Sequence, residues 1–218
     1  MEISEEKRGP DLRPIMTTQT VCREIATAGL LLASYPLDLF ARQGERLIPR
    51  LGLARDPVIL AHGLGGSRSN FLAFAAYVRM TGFSNISFFE YSRWQSVSDS
   101  AKQLGELIRE IAPAGGGAHL IGHSLGGTIS RRFAAMAPKG IVRSLITIGS
   151  PYSFSQISTD EVAIFGDEDP IVPPPPPEMV APQMFKRMMV LDNTGHLAIL
   201  YHPETLRVTA TELRINRD

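Results

Sequence analysis

Short apolar runs recur along the chain from residue 57 onward, and each has the length and composition of a buried β-strand. Apolar residues at helical spacing separate several of these runs, as at Phe71, Phe74 and Val78 and again at Leu104, Ile108 and Ile111. Strands that alternate with helices predict the α/β class, with a mostly parallel, doubly wound sheet of about six strands and helices on both faces. The expected strands are Pro57–Ala61, Ile86–Tyr91, the residues leading to Gly122, Leu145–Ile148, Val162–Phe165 and Met188–Leu191.

A glycine-rich turn follows the third apolar run. Residues 119–127 read His-Leu-Ile-Gly-His-Ser-Leu-Gly-Gly, and the helix-compatible segment Thr128–Met136 comes next. Gly-x-Ser-x-Gly between a strand and a helix is typical of a nucleophile elbow, a tight turn that lifts its serine clear of the backbone at the carboxyl edge of the sheet. Glycines suit Gly122 and Gly126 because neighbouring backbone leaves no room for side chains there. We therefore expect Ser124 to be a nucleophile.

A serine hydroxyl needs a base, an acid that orients the base, and donors for the oxyanion before it can attack an acyl carbon. Three other strand ends offer such groups. Residues 57–66 end in the loop His-Gly-Leu-Gly-Gly, residues 162–173 end in Gly-Asp-Glu-Asp-Pro-Ile-Val-Pro, and residues 188–197 deliver a histidine in Thr-Gly-His-Leu. The first loop can turn a backbone N–H toward an oxyanion, and the other two supply candidate acids and a base.

Together these motifs resemble those of the alpha/beta-hydrolase superfamily, of the small lipase and esterase type, and they span roughly residues 57–202. The resemblance implies Ser124 as nucleophile, Asp169 as acid and His196 as base, in the chain order that this family uses. It also implies the backbone N–H groups of Leu64 and Leu125 as the oxyanion hole. Because six strands are fewer than the eight common in this family, a minimal version of the fold is expected.

One motif departs from the family pattern. After the strand at Leu145–Ile148 the family usually has Gly-x-Pro-His followed by glycine, whereas residues 149–153 here read Gly-Ser-Pro-Tyr-Ser. The motifs therefore do not predict the shape of the acyl pocket, whereas the assignment of the triad does not depend on this segment. Only about eleven residues separate Ser150 from Val162, where larger family members insert a lid, so a lidless site is expected.

The acid has competitors. Asp167 and Glu168 are alternatives as solvated carboxylates of the same loop, and Asp192 is an alternative as the cap of the turn before the histidine. The Gly-x-x-Asp spacing from Gly166 favours Asp169. Five consecutive prolines follow at residues 173–177, and they predict a stiff, extended crossover that holds the acid in place.

The remaining histidines are interpreted as structural. His62 and His123 flank the chemistry, while His119 lies in a strand and His202 precedes a proline. A single cysteine and five scattered histidines contain no H-E-x-x-H or C-x-x-C pair, so no metal site is expected. The formal net charge of zero gives no sign of a nucleic-acid partner.

The first fifty residues lie outside the strand–helix alternation. They are predicted to form an N-terminal arm, residues 1–50, ahead of a hydrolase domain, residues 51–218. Glu2–Pro14 is charged and contains proline, which predicts disorder. Ile25–Phe40 is mostly apolar but interrupted, and is too short for a membrane span, which needs about 18 apolar residues. A helix packed on the body is the favoured interpretation, and a membrane-surface anchor through residues 25–40 is the alternative.

These features predict a serine hydrolase that cleaves small-molecule or lipid carboxylic esters through an acyl-enzyme on Ser124, without a cofactor. A cytoplasmic protein is expected, with membrane association as the alternative, because the leader contains acids and has no clear small-x-small cleavage site. Acyl transfer and thioester hydrolysis would use the same triad. From a different class, the alternative is a catalytically silent binding module that kept the fold.

Overall fold

The computed structural model describes residues 16–45, 55–152, 161–180 and 185–216. Within these residues the strands are β1 (Val58–Ala61), β2 (Ile86–Phe89), β3 (Ala118–His123), β4 (Val142–Ile148), β5 (Glu161–Gly166) and β6 (Arg187–Leu191). The α-helices are α1 (Thr18–Glu45), α2 (Leu72–Met80), α3 (Val97–Ile111), α4 (Leu125–Ala134) and α5 (Pro203–Ile215). Short 3-10 helices form at Arg68–Phe71, Pro177–Met179 and Ala198–Tyr201.

The strands form one parallel sheet in the order β2-β1-β3-β4-β5-β6. After β1 the chain adds β2 on one side and then returns to place β3 on the other side of β1. This reversal opens a crevice outside the carboxyl ends of β1 and β3, which is where open α/β sheets bind ligands. Residues 62–66 follow β1 and Ser124 follows β3, so two of the predicted motifs meet at this crevice.

Apolar side chains cover both faces of the sheet, because successive strand residues point to opposite sides. Leu60 belongs to a buried cluster with Phe74 of α2 and Val208 of α5. Its neighbour Ile59 belongs to a second cluster with Leu104 of α3 and residues of α4. The predicted class, a parallel doubly wound sheet with helices on both faces, is confirmed, and every predicted run forms a strand.

Helix α1 contacts the body through polar side chains. Thr20 and Thr27 are buried, whereas Ile25, Leu30 and Leu32 are 68%, 68% and 75% exposed. These three apolar residues therefore do not make the packing contact that the sequence predicted, whereas Arg23 and Glu24 hydrogen-bond backbone groups of the body. The side chains of residues 35–40, the rest of the predicted segment, lie outside the described residues. The helix continues through the proline at position 36.

Two further expectations fall partly outside the described residues. The predicted disorder of Glu2–Pro14 lies outside them, and so does most of the segment that was expected to lack a lid, residues 153–160. Among the helices that are described, none has both the length and the hydropathy needed to cross a membrane.

Candidate active site

Ser124 occupies the sharp turn between β3 and α4. Its backbone has φ 53° and ψ −122°, a conformation that costs a non-glycine residue roughly 1–3 kcal/mol. The Ser124 N–H donates to the carbonyl of Ile148 at 2.9 Å, which ties the turn to the end of β4. The side chain is half-buried, so its hydroxyl is accessible from the crevice.

Glycines make this turn possible by close approach of backbone. A Cβ on Gly126 would meet the carbonyl group of Ala61 in β1, and a Cβ on Gly122 would meet the backbone of Gly127. A Cβ on Gly63 would lie 3.0 Å from the Ser124 Cβ, so the loop after β1 lies directly against the serine. The glycine requirement that the motif predicted at Gly122 and Gly126 is therefore a packing requirement, and Gly63 adds a third close approach.

Asp169 is fully buried and all of its hydrogen bonds are made. Oδ1 accepts from the N–H groups of Ile171 and Val172, both at 2.8 Å, and Oδ2 lies 2.7 Å from Nδ1 of His196. The two backbone N–H donors fix the carboxylate, which leaves its second oxygen directed at the imidazole. The proline-rich segment after them has no regular structure until the 3-10 helix at Pro177.

The competing acids have other partners among the described residues. Asp167 accepts from the Thr194 N–H at 3.1 Å, Glu168 accepts from the Thr17 N–H at 2.6 Å, and Asp192 is exposed. The Thr17 hydrogen bond is also the main reason that the pKa of Glu168 lies below its ordinary value. None of the three reaches the imidazole, so the geometry favours Asp169.

His196 is held at both its ring and its carbonyl. The ring is 6% exposed and bonds Asp169, while the carbonyl oxygen lies 2.9 Å from Nε2 of His123. Burial lowers the pKa of His123 to about 3, so His123 is neutral. Because a carbonyl only accepts, Nε2 of His123 carries the proton. His123, interpreted as structural from the sequence, thus fixes the loop of the predicted base.

Gly149 brings the serine and the histidine sides of the site together. It follows Ile148, the acceptor of the Ser124 N–H, and adopts a positive φ of 51°. A Cβ added to Gly149 would lie 3.4 Å from Nδ1 of His196 and 3.5 Å from Oδ2 of Asp169. The positive φ favours glycine here, and the distances show that Gly149 lies directly beside the Asp169–His196 pair. Within the described residues, no hydrogen bond joins the Ser124 hydroxyl to the imidazole, which is common in unliganded sites.

Of the predicted oxyanion residues, Leu125 directly follows Ser124, and Leu64 follows Gly63, whose added Cβ would lie 3.0 Å from the Ser124 Cβ. Leu125 is the first residue of α4, where N–H groups lack intrahelical partners. The loop after β1 is closed by a hydrogen bond from the Gly66 N–H to the Gly63 carbonyl at 3.1 Å, with Leu64 between them and its side chain exposed. No described residue accepts a hydrogen bond from the N–H of Leu64 or Leu125.

A small polar cleft adjoins this loop. His62, Gly65, Gly66, Tyr91 and Arg93 line a volume of about 310 Å³. Tyr91 stacks on His62 with ring centroids 4.7 Å apart and donates to the His62 carbonyl at 2.6 Å, which fixes the start of the loop. In the described part of the chain, no group of three or more His, Cys, Asp or Glu side chains is placed to hold a metal ion.

Sequence reasoning missed a buried ion pair behind the site. Arg131 of α4 bonds Glu161 of β5 with an N–O distance of 2.6 Å, and it also donates to the carbonyl of Pro151. Thr147 adds a hydroxyl to Glu161. The pair therefore anchors the Gly-Ser-Pro-Tyr segment that departs from the family pattern. Arg131 in the helix pattern was the only signal, and it is not specific.

Comparison with known sequences gives a match to one protein family and several lipase relatives. The palmitoyl protein thioesterase family matches residues 57–188. A triacylglycerol lipase from Burkholderia plantarii is 31% identical over 146 residues, which are 60% of this chain and 37% of the lipase. The chain thus spans less than half the length of the curated relatives that it matches.

Solved structures share the fold. A structure from work on carboxylesterases of Nitrososphaera gargenis aligns with a TM-score of 0.60 at 15% identity and covers 74% of this chain and 91% of that one. An alpha/beta hydrolase fold protein from Nakamurella multipartita aligns with a TM-score of 0.56 at 16% identity, covering 73% and 93%. At such identities the likeness shows the fold alone, and it agrees with the fold that the motifs implied.

Proposed function

We propose that this chain, which belongs to the palmitoyl protein thioesterase family, hydrolyses carboxylic esters through an acyl-enzyme on Ser124, with His196 as base and Asp169 as acid. One observation carries the proposal: the Asp169–His196 pair, joined at 2.7 Å, packs against His123, the residue before a half-buried Ser124 on a strained turn. Strain of this kind is retained where function uses it, which favours catalysis over a silent binding module.

The proton transfers follow from the hydrogen bonds. Oδ2 of Asp169 only accepts, so Nδ1 of His196 carries the proton and its Nε2 is free to act as base. His196 takes the hydroxyl proton as Ser124 Oγ attacks the acyl carbon, and Asp169 stabilises the imidazolium. The proton then passes to the departing alkoxide. Water, deprotonated by the same imidazole, attacks the acyl carbon. The imidazolium then returns its proton to Ser124 Oγ as the bond to the serine breaks and the carboxylic acid leaves.

Charge on the carbonyl oxygen is stabilised by backbone groups in this proposal. The N–H groups of Leu64 and Leu125 flank Ser124 from the loop after β1 and from the start of α4. Both are available, because no described residue accepts from them. An oxyanion donor of this kind contributes about 3–4 kcal/mol to transition-state stabilisation.

The test that does not depend on knowing the substrate is labelling with a fluorophosphonate probe. The probe reacts with an activated serine and should modify Ser124, identified by mass spectrometry of the labelled peptide. Ser124→Ala should abolish labelling, and Ser98→Ala in α3 is the matched control that should leave it unchanged. Labelling at another residue, or equal labelling of Ser124→Ala, would contradict the proposal.

Thioester hydrolysis is the second candidate, and the family match over residues 57–188 is what favours it. The same nucleophile, base and oxyanion donors serve both acyl groups. Coenzyme A thioesters and nitrophenyl esters of the same acyl chains separate the two candidates. The preferred substrate is the one with the higher kcat/KM, provided that Ser124→Ala abolishes its hydrolysis.

We further propose that residues 1–50 are an arm on the hydrolase domain of residues 51–218, and that α1 contacts the surface of a lipid substrate. Val21, Ile25 and Leu32 lie on one side of α1 at positions i, i+4 and i+11, and all are exposed. Sedimentation with phosphatidylcholine vesicles tests the lipid contact. Full-length protein should co-sediment and the Ile25→Ser/Leu32→Ser variant should not, whereas equal behaviour of the two would contradict it.

A further inference from the structure

A carboxylate of α1 holds the two backbone N–H groups that directly follow His196. Glu24 Oε2 accepts from the Leu197 N–H at 2.8 Å, and Oε1 accepts from the Ala198 N–H at 2.7 Å. On the other side of His196, Gly195 lies against the same carboxylate: a Cβ there would be 2.7 Å from the Glu24 Cδ. Glu24 therefore contacts the backbone on both sides of His196 without touching its ring.

The local sequence explains why an outside carboxylate is needed. Leu197 and Ala198 begin the 3-10 helix Ala198–Tyr201, and the first N–H groups of a helix have no partners within it. The N-cap residue, Leu197, has an apolar side chain and makes no capping hydrogen bond. Glu24, 173 residues earlier in the chain, accepts from these donors instead.

Two more contacts fix α1 to the loops of the acid and the base. Arg23 Nη1 donates to the Asn193 carbonyl at 3.1 Å, in the turn that leads to the histidine. The Thr17 N–H donates to Glu168, the residue before Asp169, at 2.6 Å. The start of α1 thus bonds both loops whose relative placement sets the Asp169–His196 distance.

We propose that Glu24 is a positioning residue for His196: it holds the loop of the base from the N-terminal helix. The inference rests on the proposed function, since it takes His196 as the base. A displacement of about 1 Å of a reacting group costs on the order of 10²-fold in rate. Losing Glu24 should therefore lower kcat and leave KM nearly unchanged, because Glu24 does not line the crevice.

The experiment is a double-mutant cycle between Glu24 and Gly195, with Gln19→Ala, an exposed residue of α1, as control. Glu24→Ala removes the acceptor. Gly195→Ala displaces it, since the three atoms closest to the added methyl all belong to Glu24. Each should lower kcat for a nitrophenyl ester about 10- to 100-fold with KM within about twofold. In the double variant the Glu24 carboxylate is already absent, so the methyl group added by Gly195→Ala displaces nothing. The kcat of the double variant should therefore equal that of the single variants.

Fluorophosphonate labelling of the same variants separates failure of this inference from failure of the proposed function. If the wild type is not labelled at Ser124, or if His196→Ala is labelled as fast as the wild type, the proposed function is wrong. If those controls behave as expected, two results would contradict the positioning role of Glu24. Either Glu24→Ala keeps kcat within about threefold of the wild type, or it raises KM by as large a factor as it lowers kcat. Glu24→Gln, which preserves the size of the side chain, replaces Glu24→Ala should the latter not fold.

Discussion

Helices α3 and α1 use opposite chemistry to contact the rest of the molecule. Helix α3 buries Ala101, Leu104 and Ile108 in an apolar cluster with residues of the sheet, and its charged residues Asp99 and Lys102 are exposed. Helix α1 buries Thr20 and Thr27 and exposes Ile25 and Leu32. Burial of apolar side chains stabilises the fold by about 1.5–3 kcal/mol each, and Ile25 and Leu32 contribute little of this.

The difference separates what builds the fold from what supports the site. In the proposed mechanism the body supplies the serine, the acid and the base, which follow β3, β5 and β6. Helix α1 bonds the backbone of the loop that carries His196, Thr17 just before it bonds the Glu168 carboxylate beside Asp169, and the helix exposes Ile25 and Leu32. Removing core residues should therefore affect folding, whereas removing α1 contacts should affect turnover or lipid contact.

The largest effect is expected at the nucleophile of the body. Ser124→Ala should leave a folded protein with ester hydrolysis lowered by about 10⁴- to 10⁶-fold, the range for loss of a triad nucleophile. Hydrolysis of nitrophenyl esters by purified protein measures this. More than about a tenth of the activity remaining, with contaminating esterase excluded, would assign the nucleophile elsewhere.

The acid comes next. Asp169→Asn should lower kcat by about 10²- to 10⁴-fold, because an amide no longer fixes the tautomer of His196. Asp167→Asn and Asp192→Asn are the controls, each expected to change kcat by less than about tenfold. A larger loss at Asp192 than at Asp169 would move the acid to the loop after β6.

The sequence allowed prediction of the sheet and of the four strand-end motifs because both follow local rules. A buried strand is a short apolar run, and the Gly-x-Ser-x-Gly turn needs glycines at fixed positions where backbone approaches. Asp169 could be preferred over its competitors by spacing alone, and its hydrogen bond to His196 agrees with that preference. Its catalytic role stays a prediction.

Long-range contacts could not be predicted in this way. Glu24 lies 173 residues before the N–H groups that it accepts from, and a glutamate in a helix pattern is most often solvated. The ion pair of Arg131 and Glu161 joins α4 to β5, and both side chains are buried. Neither residue stands out from the charged residues around it in the sequence. The apolar run of α1 pointed to packing, because periodicity shows that a helix has an apolar side but not whether that side is covered.

Core packing of α3 provides the third test. Leu104 is completely buried, so Leu104→Ala should lower the free energy of unfolding by about 2–5 kcal/mol. Urea denaturation followed by circular dichroism measures the change. Turnover per folded molecule should stay unchanged, which is the reverse of the effect expected for Glu24→Ala. A change below about 1 kcal/mol would contradict the assignment of α3 to the core.

The loss of folding stability between pH 7 and pH 5, where histidines titrate, should also originate in the body, since residues 1–50 contain no histidine. Burial lowers the pKa of His119 to about 4, below its ordinary 6.5. As the pH falls below 6.5, His119 is therefore protonated in the unfolded chain before it is protonated in the folded protein. Between pH 6.5 and pH 4 the free energy of unfolding then decreases by about 1 kcal/mol per pH unit. His119 contacts the Ser144 hydroxyl at 3.0 Å and lies in the field of Asp56, Arg143 and Glu212.

The measurement is the free energy of unfolding in urea at pH 7 and at pH 5. His119→Gln, which cannot titrate, should lose less stability than the wild type over this range. His202→Gln is the comparison: burial lowers the pKa of His202 as well, but His202 is only half-buried at the start of α5, so a smaller gain than for His119→Gln is expected. An equal slope for wild type and His119→Gln would show that the buried imidazole does not contribute.

The smallest effect on stability is expected on the outer side of α1. Ile25 and Leu32 are 68% and 75% exposed, so Ile25→Ser and Leu32→Ser should each change the free energy of unfolding by no more than about 0.5 kcal/mol. The same urea titration used for Leu104→Ala measures both. Hydrolysis of a short, water-soluble ester should be unchanged as well, because neither side chain contacts the loops of the acid or the base. A loss above about 1 kcal/mol would show that these side chains are covered in the folded protein, and the contrast between α1 and α3 would then be wrong.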